Sequence, residues 1–200
     1  LVLLEILSNF KDQDCYQHLR LACAKALVFS VSNLHFGPEV GIGKIKQDTP
    51  VVSVWLAEVS NIAKDIRNIH GKYYPTARAV LGDARNLGRI LDNNSIDAVI
   101  TSPPYPNEKD YTRTTRLESI LLGFINNKEE LRNLKRNLIR SNTRGVYRID
   151  DDDNLVAGFA RIQEISNEIE RRRIELGKTS GFEKLYSRVT KLYFGGMARH

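Results

Sequence analysis

Residues 96–105 read Ile96-Asp97-Ala98-Val99-Ile100-Thr101-Ser102-Pro103-Pro104-Tyr105. The first half is an apolar, β-branched run of strand length, and the second half forbids its continuation. Two consecutive prolines hold the backbone extended and out of helix. A Ser-Pro-Pro-Tyr tetrapeptide in 200 residues has chance odds on the order of one in a thousand at average residue usage. A second short run lies upstream, Ala77-Arg78-Ala79-Val80-Leu81-Gly82-Asp83-Ala84, and ends in Gly-Asp. Two strands (about 77–82 and 96–101), each delivering polar residues at its carboxyl end, predict a parallel α/β sheet. In such sheets, ligands sit beyond the carboxyl ends of the strands. Asp83 also suits the N-cap of a helix starting at Ala84, and both roles are compatible.

The segment Ser102-Pro103-Pro104-Tyr105-Pro106-Asn107-Glu108-Lys109-Asp110-Tyr111-Thr112-Arg113, followed by Arg116-Leu117-Glu118 and Leu122-Gly123, resembles the S-adenosylmethionine-dependent DNA amino-methyltransferases. Weaker likeness to one bacterial branch of that family lies in Ser32-Asn33 to Gly43-Lys44 and in Tyr193-Phe194 to Arg199. The resemblance implies a partial, helix-rich, Rossmann-like methyltransferase domain. It also implies S-adenosylmethionine as cofactor, DNA as partner, and methyl transfer to cytosine N4 or adenine N6 of a flipped base. Ser at the head of the motif favours cytosine N4. By the same resemblance Asp83 and the Ala84 backbone N–H contact the cofactor adenine.

The motif's chemistry is intelligible from its residues. An exocyclic amino nitrogen is a poor nucleophile because its lone pair is delocalised into the ring. Acceptors on both of its N–H groups draw it towards a tetrahedral shape. The Ser102 hydroxyl is one such acceptor and the Pro103 carbonyl is the other. Pro104 shapes the loop, and Tyr105 offers a face on which an extruded base can stack. Catalysis of this kind is mainly positioning.

Charge points the same way. The chain has 30 Lys/Arg against 24 Asp/Glu. Residues 106–148 hold 10 of the basic and only 5 of the acidic residues, so most of the excess follows the motif directly. Arg113 and Arg116 are the candidates for contact with the DNA backbone.

Several function classes are excluded or left without support. Gly37 to Lys44 does not match a phosphate-binding P-loop: the glycine spacing is too long, Ile45 replaces Ser/Thr, and a helix precedes it. Cys15 and Cys23 fall on one predicted helix about 12 Å apart, too far for a disulfide. His18, His35, His70 and His200 are scattered, so no metal site is expected. The run Asp150-Asp151-Asp152-Asp153 is read as favouring the dipole of the helix ahead rather than as a cation site. No signal peptide or membrane-length apolar run is seen, which makes a cytoplasmic location the expectation.

Helices are expected from about Asp14 to Val31, from Pro50 to Ile69, from Asp110 to Ile125, from Lys128 to Arg140, from Leu155 to Gly177 and from Phe182 to Met197, with Leu1 to Phe10 ambiguous. The expected organisation is a single incomplete catalytic domain over 1–200: a helical segment (1–75), a strand and motif core (76–105), and a basic helical segment (106–200). The family's Phe-x-Gly-x-Gly cofactor loop is missing, and the chain opens at Leu1 within an apolar run. The expectation is therefore an internal piece of a larger enzyme that binds cofactor weakly or not at all alone. Two other functions stay open: an RNA amino-methyltransferase, and a non-catalytic basic nucleic-acid-binding module. The oligomeric state is not legible.

Overall fold

The computed structural model describes residues 1–36, 40–72, 75–106 and 110–200. The centre of the Gly-rich loop (37–39) and residues 107–109 of the motif segment lie outside the described residues. Contacts cluster into two compact units: residues 1–77 with 112–128, and residues 78–111 with 129–200.

In the first unit, helices α1 (Val2–Ser8) and α2 (Tyr16–Ala26) precede a wider helical turn (Leu27–Val31). An antiparallel hairpin follows, β1 (Leu34–Phe36) with β2 (Val40–Ile42), in the register Leu34 to Ile42 and Phe36 to Val40. Helix α3 (Val51–Ile69) starts directly after Pro50. Helix α2 turns small residues inward, with Ala22, Cys23 and Ala26 buried, so α3 can approach closely. Trp55 Nε1 donates to the Leu19 carbonyl at 3.1 Å, and Lys25 pairs with Glu58 at 2.6 Å. Short helices α4 (Tyr111–Thr114) and α5 (Arg116–Leu121) replace the single helix expected over 110–125. The boundary between the units falls inside α4, between Tyr111 and Thr112.

In the second unit, α6 (Lys128–Arg136), α7 (Ala160–Glu175) and α8 (Tyr186–Arg199) carry the regular structure. Helix α8 packs on α7 and on a 3-10 turn at Asp152–Val156. The core is Val156, Val189 and Leu192, all essentially inaccessible, with Tyr193 at their edge. The Ser166 hydroxyl lies 2.7 Å from that of Ser187, linking α7 to α8. Two adjacent glycines of α8, Gly195 and Gly196, are buried, and the Asp152 backbone lies against Gly195.

The expected strands are not formed. Residues 77–82 and 96–101 take neither helix nor strand, and the sheet seen among the described residues is the antiparallel hairpin. The reason is physical: a strand exists only through a ladder, and neither segment is paired in one. Their apolar side chains are largely uncovered. Leu81 and Ile100 are fully exposed, and Val99 is 73% exposed. Truncating either exposed residue should therefore cost almost nothing here. Leu81→Ala and Ile100→Ala are each expected to shift the chain's unfolding free energy by less than about 0.5 kcal/mol, as for surface positions generally. A urea midpoint clearly below the parent's would show that these side chains are buried after all.

The acidic run also behaves differently from expectation. No side chain of Asp150–Asp153 caps the 3-10 turn, and α7 starts only at Ala160. Asp150 and Asp152 bind arginines instead. Among the described residues no helix is long and apolar enough to cross a membrane, and no group of His, Cys, Asp and Glu is spaced to hold a metal.

Candidate active site

Asp83 ends the extended segment and caps a 3-10 turn at Ala84–Arg89, accepting from the Arg85 backbone N–H at 2.9 Å. The capping role read from sequence is therefore realised. The Arg85 side chain folds back on the same carboxylate, with Nε 3.1 Å from Oδ1 and Nη2 2.8 Å from Oδ2. On its other side Arg85 Nη1 donates to Asp152 Oδ2 at 2.8 Å, and Nη2 donates to the Arg136 carbonyl at 2.9 Å. The remaining Asp152 oxygen accepts from Arg199 Nη1 at 2.8 Å, and Arg199 Nη2 donates to Asn86 Oδ1 at 3.2 Å.

This chain of alternating charges fixes the ionisation of Asp83. Burial pushes its pKa up, but hydrogen bonds and the positive charge of Arg85, with Arg199 beyond, outweigh that and hold it below the ordinary carboxylate value. A depressed folded-state pKa contributes stability above the unfolded value, about 3.9, and loses it as pH falls through the folded value. Asp83→Asn should therefore flatten the fall in unfolding free energy on acidification below about pH 4. Urea titrations at stepped pH give the slope, and a slope identical to the parent's would show that Asp83 carries none of the acid sensitivity.

Beside Asp83 lies a cavity of about 240 Å³. Its lining joins residues from three stretches of the second unit: Asp83 and Ala84, Pro104 with Asp110 and Tyr111, and the segment from Lys135 to Asn142. Lys135 Nζ reaches Asp110 Oδ2 at 2.6 Å, with both side chains largely buried. Arg140 is 3% exposed and holds Asp150 through two contacts of 2.8 Å. Its guanidinium also lies over the Tyr147 ring, 5.2 Å from the centroid, and Nη1 donates to the Lys135 carbonyl at 2.9 Å, closing the end of α6.

The residues singled out from sequence are distributed as follows. Asp83, Ala84 and Pro104 line this one cavity. Ser102 and Pro103 are exposed beside it in the chain, and Tyr105 is 66% exposed. Arg113 and Arg116 fall in the first unit and are half-buried; Arg116 Nη2 lies 3.4 Å from Thr112 Oγ1. Sequence reading missed Arg85, Lys135, Arg140 and Asp152. A signal existed for Arg85, since the spacing Asp-x-Arg lets a guanidinium reach back to a capping carboxylate.

The comparisons with known proteins bear on this same chain. It is similar to a type II methyltransferase. The relative is M.BsoBI of Geobacillus stearothermophilus, 33% identical over 135 residues, a match covering 60% of this chain and 26% of that protein. The matched part thus spans about a quarter of the relative's length. No family model matches the chain, and no solved structure matches it.

Proposed function

We propose that this chain carries part of the catalytic domain of an S-adenosylmethionine-dependent DNA methyltransferase. The target is the exocyclic amino group of a flipped base, cytosine N4 in preference to adenine N6. The observation that carries this reading is that Pro104 of the Ser-Pro-Pro-Tyr motif lines the same cavity as the Gly82-Asp83-Ala84 turn, from which it is separate in sequence. The likeness to a type II methyltransferase supports it.

The residues present fit one end of the cofactor. An ionised carboxylate offers about four acceptor positions. The three contacts from Arg85 leave Asp83 one for an adenine amino group. At about 240 Å³ the cavity falls short of the range usual for whole ligand sites, about 300–1,000 Å³, and so suits an adenine ring rather than the entire molecule. Further chain beyond these residues, including a Phe-x-Gly-x-Gly loop, would hold the remainder. When bound, S-adenosylmethionine supplies an electrophilic methyl group.

The chain's own residues prepare the nucleophile. The Ser102 hydroxyl oxygen and the Pro103 carbonyl accept from the two N–H bonds of the target amino group and turn its lone pair outward. Tyr105, already exposed, provides the stacking face that replaces the neighbouring bases. One amino proton leaves to solvent after the methyl is transferred.

The test is product analysis. The full-length protein carrying this chain is incubated with methyl-tritiated S-adenosylmethionine and either duplex DNA or RNA, and the products are digested to nucleosides. N4-methylcytosine from DNA is the expected outcome, and N6-methyladenine would revise the target base alone. Label in RNA only would assign the protein to RNA modification. Tight nucleic-acid binding with no label in either would leave a binding module.

A further inference from the structure

The polar chain behind Asp83 does more than close a turn. A carboxylate at the end of an unpaired extended segment is free to rotate unless something fixes its plane. Here the Arg85 fork grips both of its oxygens, at 3.1 and 2.8 Å. A two-point contact of this kind fixes orientation as well as distance. Arg85 is itself held from the far side by Asp152, which is 3% exposed and whose second oxygen is taken by Arg199. The Asp152 backbone is seated against Gly195, where an added Cβ would lie 1.8 Å from the Asp152 carbonyl oxygen. The plane of the Asp83 carboxylate is thus tied, through two planar groups, to the backbone of α8.

We propose that Arg85 and Asp152 are positioning residues that set the Asp83 carboxylate for the adenine end of the cofactor. This rests on the reading of Asp83 as a cofactor contact. Neither residue lines the cavity, so neither touches the ligand; both act through Asp83. Other charged groups line the same space, the Lys135–Asp110 pair and Arg140, which is held by Asp150; outside the lining, His200 Nδ1 lies 3.0 Å from the Ala84 carbonyl. None of these pairs includes Arg85, although Arg85 and Arg140 share the Arg136 carbonyl as acceptor.

Two measurements test this. The first is the affinity of the full-length protein for tritiated S-adenosylmethionine, by equilibrium dialysis, in Asp83→Asn, Arg85→Gln, Arg85→Lys and Asp152→Asn. The second needs no cofactor: the carbon-13 signal of the Asp83 carboxyl is followed through an acid titration of this chain. Asp83→Asn is expected to weaken binding at least tenfold, and Arg85→Gln and Asp152→Asn at least fivefold. In Arg85→Gln the Asp83 titration should move up towards the ordinary aspartate range. If Arg85→Gln does not fold, Arg85→Lys serves, since it keeps the charge and loses the fork; binding should still weaken at least threefold with an unchanged melting temperature. Parent-like affinity in the Arg85 and Asp152 variants beside a weak Asp83→Asn would overturn the positioning role and leave the cofactor contact standing. Parent-like affinity in Asp83→Asn would remove the contact, and the positioning role with it.

Discussion

Ser102→Ala in the full-length protein is expected to reduce methyl transfer about 100-fold or more while leaving DNA affinity within about twofold. Loss of one preorganised hydrogen-bond partner at a reacting centre typically costs about 10²–10³ in rate. On the proposed reading the lost acceptor is one of only two that reshape the amino nitrogen. The fold gives this substitution unusual clarity. Ser102 is exposed on a segment that belongs to no helix or strand, so removing its hydroxyl should change stability by no more than about 0.5 kcal/mol. A loss of rate could not then be ascribed to unfolding. Single-turnover rates with pre-bound DNA separate chemistry from binding. A parent-like rate would sink the assignment of Ser102 and move attention to backbone carbonyls alone.

Gly195→Ala should be the most damaging single methyl group in the second unit. The added Cβ would lie 1.8 Å from the Asp152 carbonyl oxygen and 2.4 Å from its carbon, and both are backbone atoms that cannot swing aside. Overpacking of this kind costs about 1–3 kcal/mol and occasionally more. The clash falls where α8 meets the 3-10 turn, beside the inaccessible Val156 and Leu192, so relief would require separating the two. It would also shift Asp152, and with it the partners of Arg85 and Arg199. Denaturant unfolding with an unchanged slope and a lowered midpoint is the expected signature. A midpoint equal to the parent's would show that this approach is looser than described. Gly196→Ala is milder by the same reasoning, since its closest neighbour is a side-chain methyl of Ile139 at 3.2 Å.

These two positions mark what could and could not be read from sequence. Ser102 stands out in sequence because Ser-Pro-Pro-Tyr is rare and chemically pointed, and its role rests on that motif. Gly195 does not, because a glycine inside a helix shows its purpose only when another backbone is found against it. The same division runs through the fold. Apolar spacing placed α3, α7 and α8 to within a few residues, since a helix satisfies its own hydrogen bonds. Strands do not, and residues 77–82 and 96–101 have strand composition without neighbours to pair with. The hairpin strands Leu34–Phe36 and Val40–Ile42 went unread because the glycines and proline suggested only a loop, although apolar residues alternate in both. In the candidate site, Asp83, Ala84 and Pro104 were found by motif. Arg85 carried only the local Asp-x-Arg signal, and no local spacing announces its second ion pair, to Asp152 across 67 residues, nor the pairing of Lys135 with Asp110.

The contrast between the two sides of the cavity also has a thermodynamic meaning. Asp83 is fixed before any ligand arrives, its orientation set during folding. The segment from Thr101 to Tyr105 belongs to no helix or strand that would hold it. Immobilising backbone costs roughly 1–2 kcal/mol per residue in entropy. On the proposed reading that cost falls on the DNA step, as the loop closes around an extruded base. DNA association should then be enthalpy-driven and entropically opposed, and discrimination between bases would be exercised as the loop becomes ordered.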